Sequence, residues 1–125
     1  MDIQKVTKEL KDLYPNRNII INDPDNPTEV VCEVEPASWN PDKSIAIAVI
    51  DSTVSHLHRQ SRETYEVIKG VLEMDRGGNK YILTQGQSLT IEPTERHTAK
   101  GKETWVKVTS VPGWKPEDHI IIEKE

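Results

Sequence analysis

Apolar residues recur at helical spacing in the first stretch of the chain. Ile3, Val6, Leu10 and Leu13 fall at i, i+3, i+7 and i+10 with Lys, Glu and Asp between them, which predicts one stripe of an amphipathic helix over 2–14. Pro15 follows and stops it. The period then changes to two. Ile19-Ile20-Ile21 is a short β-prone run, and Asp23-Pro24-Asp25-Asn26-Pro27 is turn chemistry. Thr28 to Glu35 alternates, with Val30, Cys32 and Val34 on one face and Glu33 and Glu35 on the other, as a strand does. Ile45 to Ile50 is apolar at every position, so both faces of that strand are expected to be buried. The small side chains of Ala46 and Ala48 leave room on one face, which suits a cavity wall.

The later segments repeat the pattern in shorter pieces. Val54 to His58 reads as a strand, and Thr64 to Leu72 as another in which Glu63, Tyr65 and Val67 share a face. Gly70 breaks it without side-chain bulk. Gly77-Gly78-Asn79 predicts a hairpin between Val71–Met74 and Lys80–Thr84. Ser88 to Ile91, Thr104 to Val111 and His119 to Ile122 complete the series, separated by Gly and Pro. Regularly spaced short strands predict an all-β chain, an antiparallel sandwich or barrel with one terminal helix. Without βαβ alternation, a parallel nucleotide-binding sheet is excluded.

Size and charge narrow the class. A chain of 125 residues is most economically one domain, 1–125, with the helix in 1–14 and a barrel core over 44–111. The formal net charge of -5 argues against a nucleic-acid binder. One cysteine, Cys32, forms no intrachain disulfide and no multi-cysteine zinc site, and its place in an apolar alternation makes it a core residue. With no signal-peptide run and no stretch of membrane-spanning length, the expected setting is the cytoplasm, away from membranes.

The chemistry lies in His56-Leu57-His58-Arg59-Gln60-Ser61-Arg62-Glu63. On a strand His56 and His58 point to the same side, with a glutamate returning nearby, and that is the chemistry of a divalent metal site. The spacing His56-x-His58-x4-Glu63-x6-Gly70 resembles the first motif of the cupin family, small jelly-roll barrels that hold a metal with these three side chains. Gly86, Pro93 and His97 resemble the second motif, in which a histidine eleven residues after the glycine is the fourth ligand. Ile50, Glu92, Thr94 and Gly101 depart from the family pattern at turn or loop positions and remove no ligand. The resemblance thus implies an antiparallel jelly-roll barrel with Mn, Fe, Co, Ni or Zn on His56, His58, Glu63 and His97. Four protein ligands around an ion that prefers six leave two positions open to a small molecule. The imidazoles must be neutral to bind, so affinity is expected to fall as pH drops toward about 6.

Other residues carry two readings each. Arg59, Arg62 and Arg96 neighbour the ligand segments; they form either a basic rim for an anionic group or, as strand neighbours of inward residues, part of the exterior. Tyr65 either contacts a substrate, with a catalytic role, or fills the barrel. Trp105 and Val106 are adjacent on a strand, so only one faces in, and Trp105 is a candidate cavity wall or dimer-face residue. Trp39 and Trp114 are expected to cover the barrel ends or an interface. His119 is expected at the surface or a strand edge rather than as a ligand. The expected function is a metal-dependent sugar-type isomerase or epimerase, with a dioxygenase or a non-catalytic small-ligand receptor as alternatives. A homodimer through the N-terminal helix or Ile120-Ile121-Ile122 follows from the habit of small cupins.

Overall fold

The computed structural model describes residues 1–122. Helix α1 (Ile3–Leu13) starts at Asp2, whose side chain accepts a hydrogen bond from the Lys5 N–H. It buries Val6 and Leu10, while Leu13 is exposed. At 100° per residue Leu13 lies about 40° off the Val6–Leu10 line, and it sits in the last turn.

Ten strands follow among the described residues: β1 (Ile19–Ile21), β2 (Glu29–Glu35), β3 (Ser44–Ser52), β4 (His56–His58), β5 (Arg62–Lys69), β6 (Leu72–Arg76), β7 (Asn79–Leu83), β8 (Ser88–Ile91), β9 (His97–Val111) and β10 (His119–Ile121). Every pairing is antiparallel, within one curled sheet. The spine runs β1-β2-β3-β9-β4-β10, and β5 and β6 also pair with β9, carrying β8 and β7. β6 and β7 meet in a two-residue turn in which Gly77 and Gly78 both have positive φ, the conformation that requires glycine there.

β9 organises the sheet and is longer than the sequence pattern predicts. Its expected start was Thr104; it begins at His97 and runs for 15 residues. The polar run Lys100-Gly101-Lys102-Glu103 conceals the first half because the strand bends there. Glu103 has φ 46°, and a Cβ on Gly101 would lie 2.8 Å from the Thr104 Cβ. Register shifts on both neighbours mark the bend, which allows one strand to serve two pairs of partners.

The sheet has two apolar faces. Inside the curl, Ala48, Ile50, Tyr65, Val67, Met74, Val106 and their neighbours form one core. Outside it, α1 lays Val6 and Leu10 on Val30, Cys32, Ile47, Val49 and Trp105. The unbroken apolar run of β3 follows directly, since Ala48 and Ile50 face the interior and Ile47 and Val49 face the helix. Burying these two faces is the main stabilising term of the fold.

Candidate metal centre

β9 sets His97 directly opposite His56 of β4, and His58 stands two residues on, on the same face. β5 brings Glu63 alongside, in register with Ser110 of β9. All four side chains are buried. One ligand atom from each lies within 4.8 Å of the others. Two donors opposite one another on a single ion lie about 4 Å apart, so the cluster has the size of a mononuclear site.

The hydrogen bonds fix which nitrogens face inward. His56 Nδ1 is 2.8 Å from the Val54 carbonyl and His97 Nδ1 is 3.0 Å from the Glu95 carbonyl. A carbonyl only accepts, so each Nδ1 carries the proton and each Nε2 presents a lone pair. His58 has no hydrogen-bond partner on either ring nitrogen, although Nε2 stands 3.0 Å from Glu63 Oε1. Glu63 Oε1 is also 3.4 Å from His97 Nε2, and Oε2 accepts a hydrogen bond from Ser110 Oγ at 3.2 Å. Buried lone pairs and a carboxylate aimed at one another repel unless a cation lies between them. The donor set of three imidazoles and one carboxylate therefore fits a divalent transition metal.

Electrostatics keep His56 and Glu63 in their binding forms. Burial, reinforced by His97, pushes the His56 pKa down to about 3, so its ring is neutral. Burial alone would raise Glu63, but a proton, or in its place a cation, between the carboxylate and the His58 and His97 nitrogens outweighs burial and holds the carboxyl well below the usual range. Asp118 lies behind the cluster. Its carboxylate accepts hydrogen bonds from the backbone N–H groups of Arg59, Gln60 and Ser61 and comes within 3.9 Å of His58 Nδ1. Burial raises its pKa, and the hydrogen bonds from Ser61 and Gln60 outweigh burial, leaving a net depression. It ties down the β4–β5 loop that separates His58 from Glu63.

The cluster opens into a cavity of about 670 Å³. Ala46 and Ala48 are on its wall, as their small size predicts, together with Val31, Val108, Tyr65, Trp114 and His119. The Tyr65 hydroxyl donates to Glu63 Oε1 at 3.3 Å and lies 3.4 Å from His97 Nε2. Burial and the carboxylates of Glu63 and Glu29 keep that hydroxyl protonated well above its ordinary range. His119 lies on the edge strand β10, as expected, but its half-buried ring turns inward and stacks on His56 with centroids 4.5 Å apart.

Three expected substrate contacts lie elsewhere. Arg59 is exposed and off the cavity wall. Arg62 is also outside, paired with Glu92 at 2.6 Å. Strand parity is the cause, since a residue adjacent to an inward ligand points outward. Trp105 is buried under α1 on the outer face, with Lys69 Nζ 5.1 Å from its ring, and Val106 is the one that faces in. Sequence reasoning missed Glu29, Ser110 and Asp118. For Glu29 the signal was available, because it shares strand parity with Val31 and Glu33.

The family model of the cupin domain matches residues 45–111. The chain belongs to the cupin family. This cupin is similar in fold to a nucleoside dehydratase from Streptomyces, at 12% identity over 88% of each chain with a TM-score of 0.77. It is also similar to KdgF from Halomonas sp., at 18% identity over 78% of this chain and 89% of that one with a TM-score of 0.67. A third similar fold is ectoine synthase from P. lautus, at 17% identity over 83% of each chain with a TM-score of 0.62. No curated protein matches the sequence. No helix among the described residues is long and apolar enough to cross a membrane.

Proposed function

We propose that this cupin is a divalent-metal-dependent enzyme acting on a small oxygenated metabolite by proton transfer, of the sugar isomerase or epimerase type. His56, His58, Glu63 and His97 are its metal ligands and Tyr65 its proton-transfer residue. The observation that carries the reading is the Tyr65 hydroxyl, 3.3 Å from Glu63 Oε1 and 3.4 Å from His97 Nε2 on the wall of the cavity. A bound divalent cation supplies Lewis-acid polarisation of a carbonyl or hydroxyl. Tyr65, kept protonated by its surroundings, gives a proton to the carbonyl oxygen, while the ring of His119 on the same wall, kept neutral by burial, removes the proton from the adjacent carbon. In the return step Tyr65 recovers a proton from oxygen and His119 delivers one to carbon. Asp118 holds the loop that follows His58 and Ser110 holds Glu63, and the apolar walls limit water.

The test combines untagged, metal-loaded protein with a panel of small hydroxy-carbonyl compounds in heavy water. Proton transfer writes solvent deuterium into the carbon skeleton, read by NMR. Tyr65→Phe is expected to lower the rate about 10²- to 10⁴-fold with metal content unchanged. Oxygen uptake coupled to substrate loss, without deuterium incorporation, would select the dioxygenase reading. Tight binding without product would select a receptor. The proposal includes a homodimer, for which β10 offers an edge strand with Ile121 exposed; light scattering tests it.

A further inference from the structure

The cavity has a charge pattern that the metal centre does not use. Its wall carries five carboxylates, Asp23, Glu29, Glu33, Glu35 and Glu63, and no Lys or Arg among the described residues. Glu63 belongs to the metal cluster and Glu33 accepts a hydrogen bond from Asn18 Nδ2. Asp23 and Glu35 are exposed at the rim. Glu29 differs from all of these. It stands at the start of β2 opposite Ile50, and its carboxylate is enclosed by protein almost completely. The residue as a whole is half-buried, and it lines the cavity. Among the described residues that carboxylate has no hydrogen-bond donor and no ion-pair partner, while its backbone N–H is bonded to Asn22 Oδ1 at 2.9 Å.

A buried carboxylate without a donor is costly. Burial, together with the carboxylate of Glu63, raises its pKa to about 7. What would satisfy it must come through the cavity. A divalent ion with Glu63 leaves one positive charge at the cluster, which Glu29 cancels across the space, and the rim adds further negative charge. An anionic ligand meets repulsion everywhere except at the metal. A ligand with a positive end meets attraction along the whole approach and a partner at Glu29. The ring of Trp114, also on the wall, offers a second surface favourable to a cation.

We propose that the cavity selects a small molecule carrying a protonated amine together with oxygen donors, the oxygens directed to the histidine-glutamate cluster and the ammonium group to Glu29. The inference rests on the reading of this cavity as the ligand site and names the class of its substrate. It narrows the small oxygenated metabolite of the proposed function to an amino alcohol or amino sugar.

Three probes on one scaffold test it: 3-amino-1,2-propanediol, glycerol and glycerate, which share oxygens and differ in charge. Each is titrated calorimetrically into the metal-loaded full chain and into the chelator-stripped chain, with metal content measured on the same samples. The aminodiol is expected to bind about tenfold tighter than glycerol in both samples, and glycerate weakest in the chelator-stripped chain, where no metal chelates its carboxylate. Glu29→Gln is expected to bring the aminodiol within about twofold of glycerol with metal content unchanged, and Glu29→Asp to keep part of the preference. Equal binding of aminodiol and glycerol, tighter binding of glycerate than of the aminodiol to the stripped chain, or a preference that survives Glu29→Gln overturns the proposal. Failure of the metal centre gives a different result: little metal after loading, with the Glu29-dependent amine preference intact.

Discussion

Replacing Glu29 by Gln should stabilise the ligand-free protein, and only above mildly acidic pH. The ordinary carboxyl pKa of 4.5 is raised to about 7 in the folded chain by burial and by Glu63. The folded state therefore holds the Glu29 proton more tightly than the unfolded state does. Below 4.5 both states are protonated and the site costs nothing. As pH rises toward 7 the unfolded chain releases the proton first, so stability falls, and above 7 the penalty is complete. The full shift corresponds to roughly 3 kcal/mol, at about 1.36 kcal/mol per unit. Water in the cavity screens the carboxylate, which brings the expected penalty to about 1–2 kcal/mol. Glutamine keeps the shape and removes the charge. In chelator-treated protein, thermal melts of the wild type and Glu29→Gln should coincide near pH 4.5 and separate by roughly 4–8 °C at pH 8, with the variant higher. Of the groups facing Glu29, Glu63 and Tyr65 are present in both proteins, and the repulsion from Glu63 is part of the penalty that Glu29→Gln removes. A variant that melts at the wild-type temperature at pH 8, or below it, would refute the reasoning. So would a difference that does not depend on pH.

Other substitutions test the frame around the site. Thr94 has φ +71° at an exposed turn, where the family pattern has glycine, and its N–H donates to the His58 carbonyl at 2.6 Å. Thr94→Gly should relieve the left-handed strain and stabilise the protein by about 0.5–1 kcal/mol, read as a higher melting temperature, and a loss would mean that the threonine side chain itself matters. Asp118→Ala leaves the N–H groups of Arg59, Gln60 and Ser61 without their acceptor. It should cost about 2–3 kcal/mol and accelerate hydrogen exchange at those three amides, with no change at β3; unchanged exchange would contradict the anchoring role.

Much of this architecture was legible because periodicity reports faces. Val6 and Leu10 gave the helix stripe, Ile45 to Ile50 the doubly buried strand, and Gly77-Gly78 the hairpin. Alternation separates two faces but does not say which one meets solvent. The charged face of β2 carries Glu29 into the interior, and Trp105 faces the helix although tryptophan suits either side. The first half of β9 was hidden because a strand that bends at Gly101 needs polar, flexible residues there and so loses the apolar signal. The ligand segments stood out because His56, His58 and Glu63 are close in sequence. Ser110 and Asp118, which brace them, reach the site only through long-range pairing that no local pattern encodes.

The proposed metal centre is tested most directly by elemental analysis of untagged protein after metal loading and desalting, alongside His58→Ala. The account predicts close to one divalent transition-metal ion per chain in the wild type and a loss of most of it in the variant, with a lower melting temperature that chelator treatment reproduces in the wild type. Metal-free protein after loading, with wild type and variant melting alike with or without chelator, would contradict it.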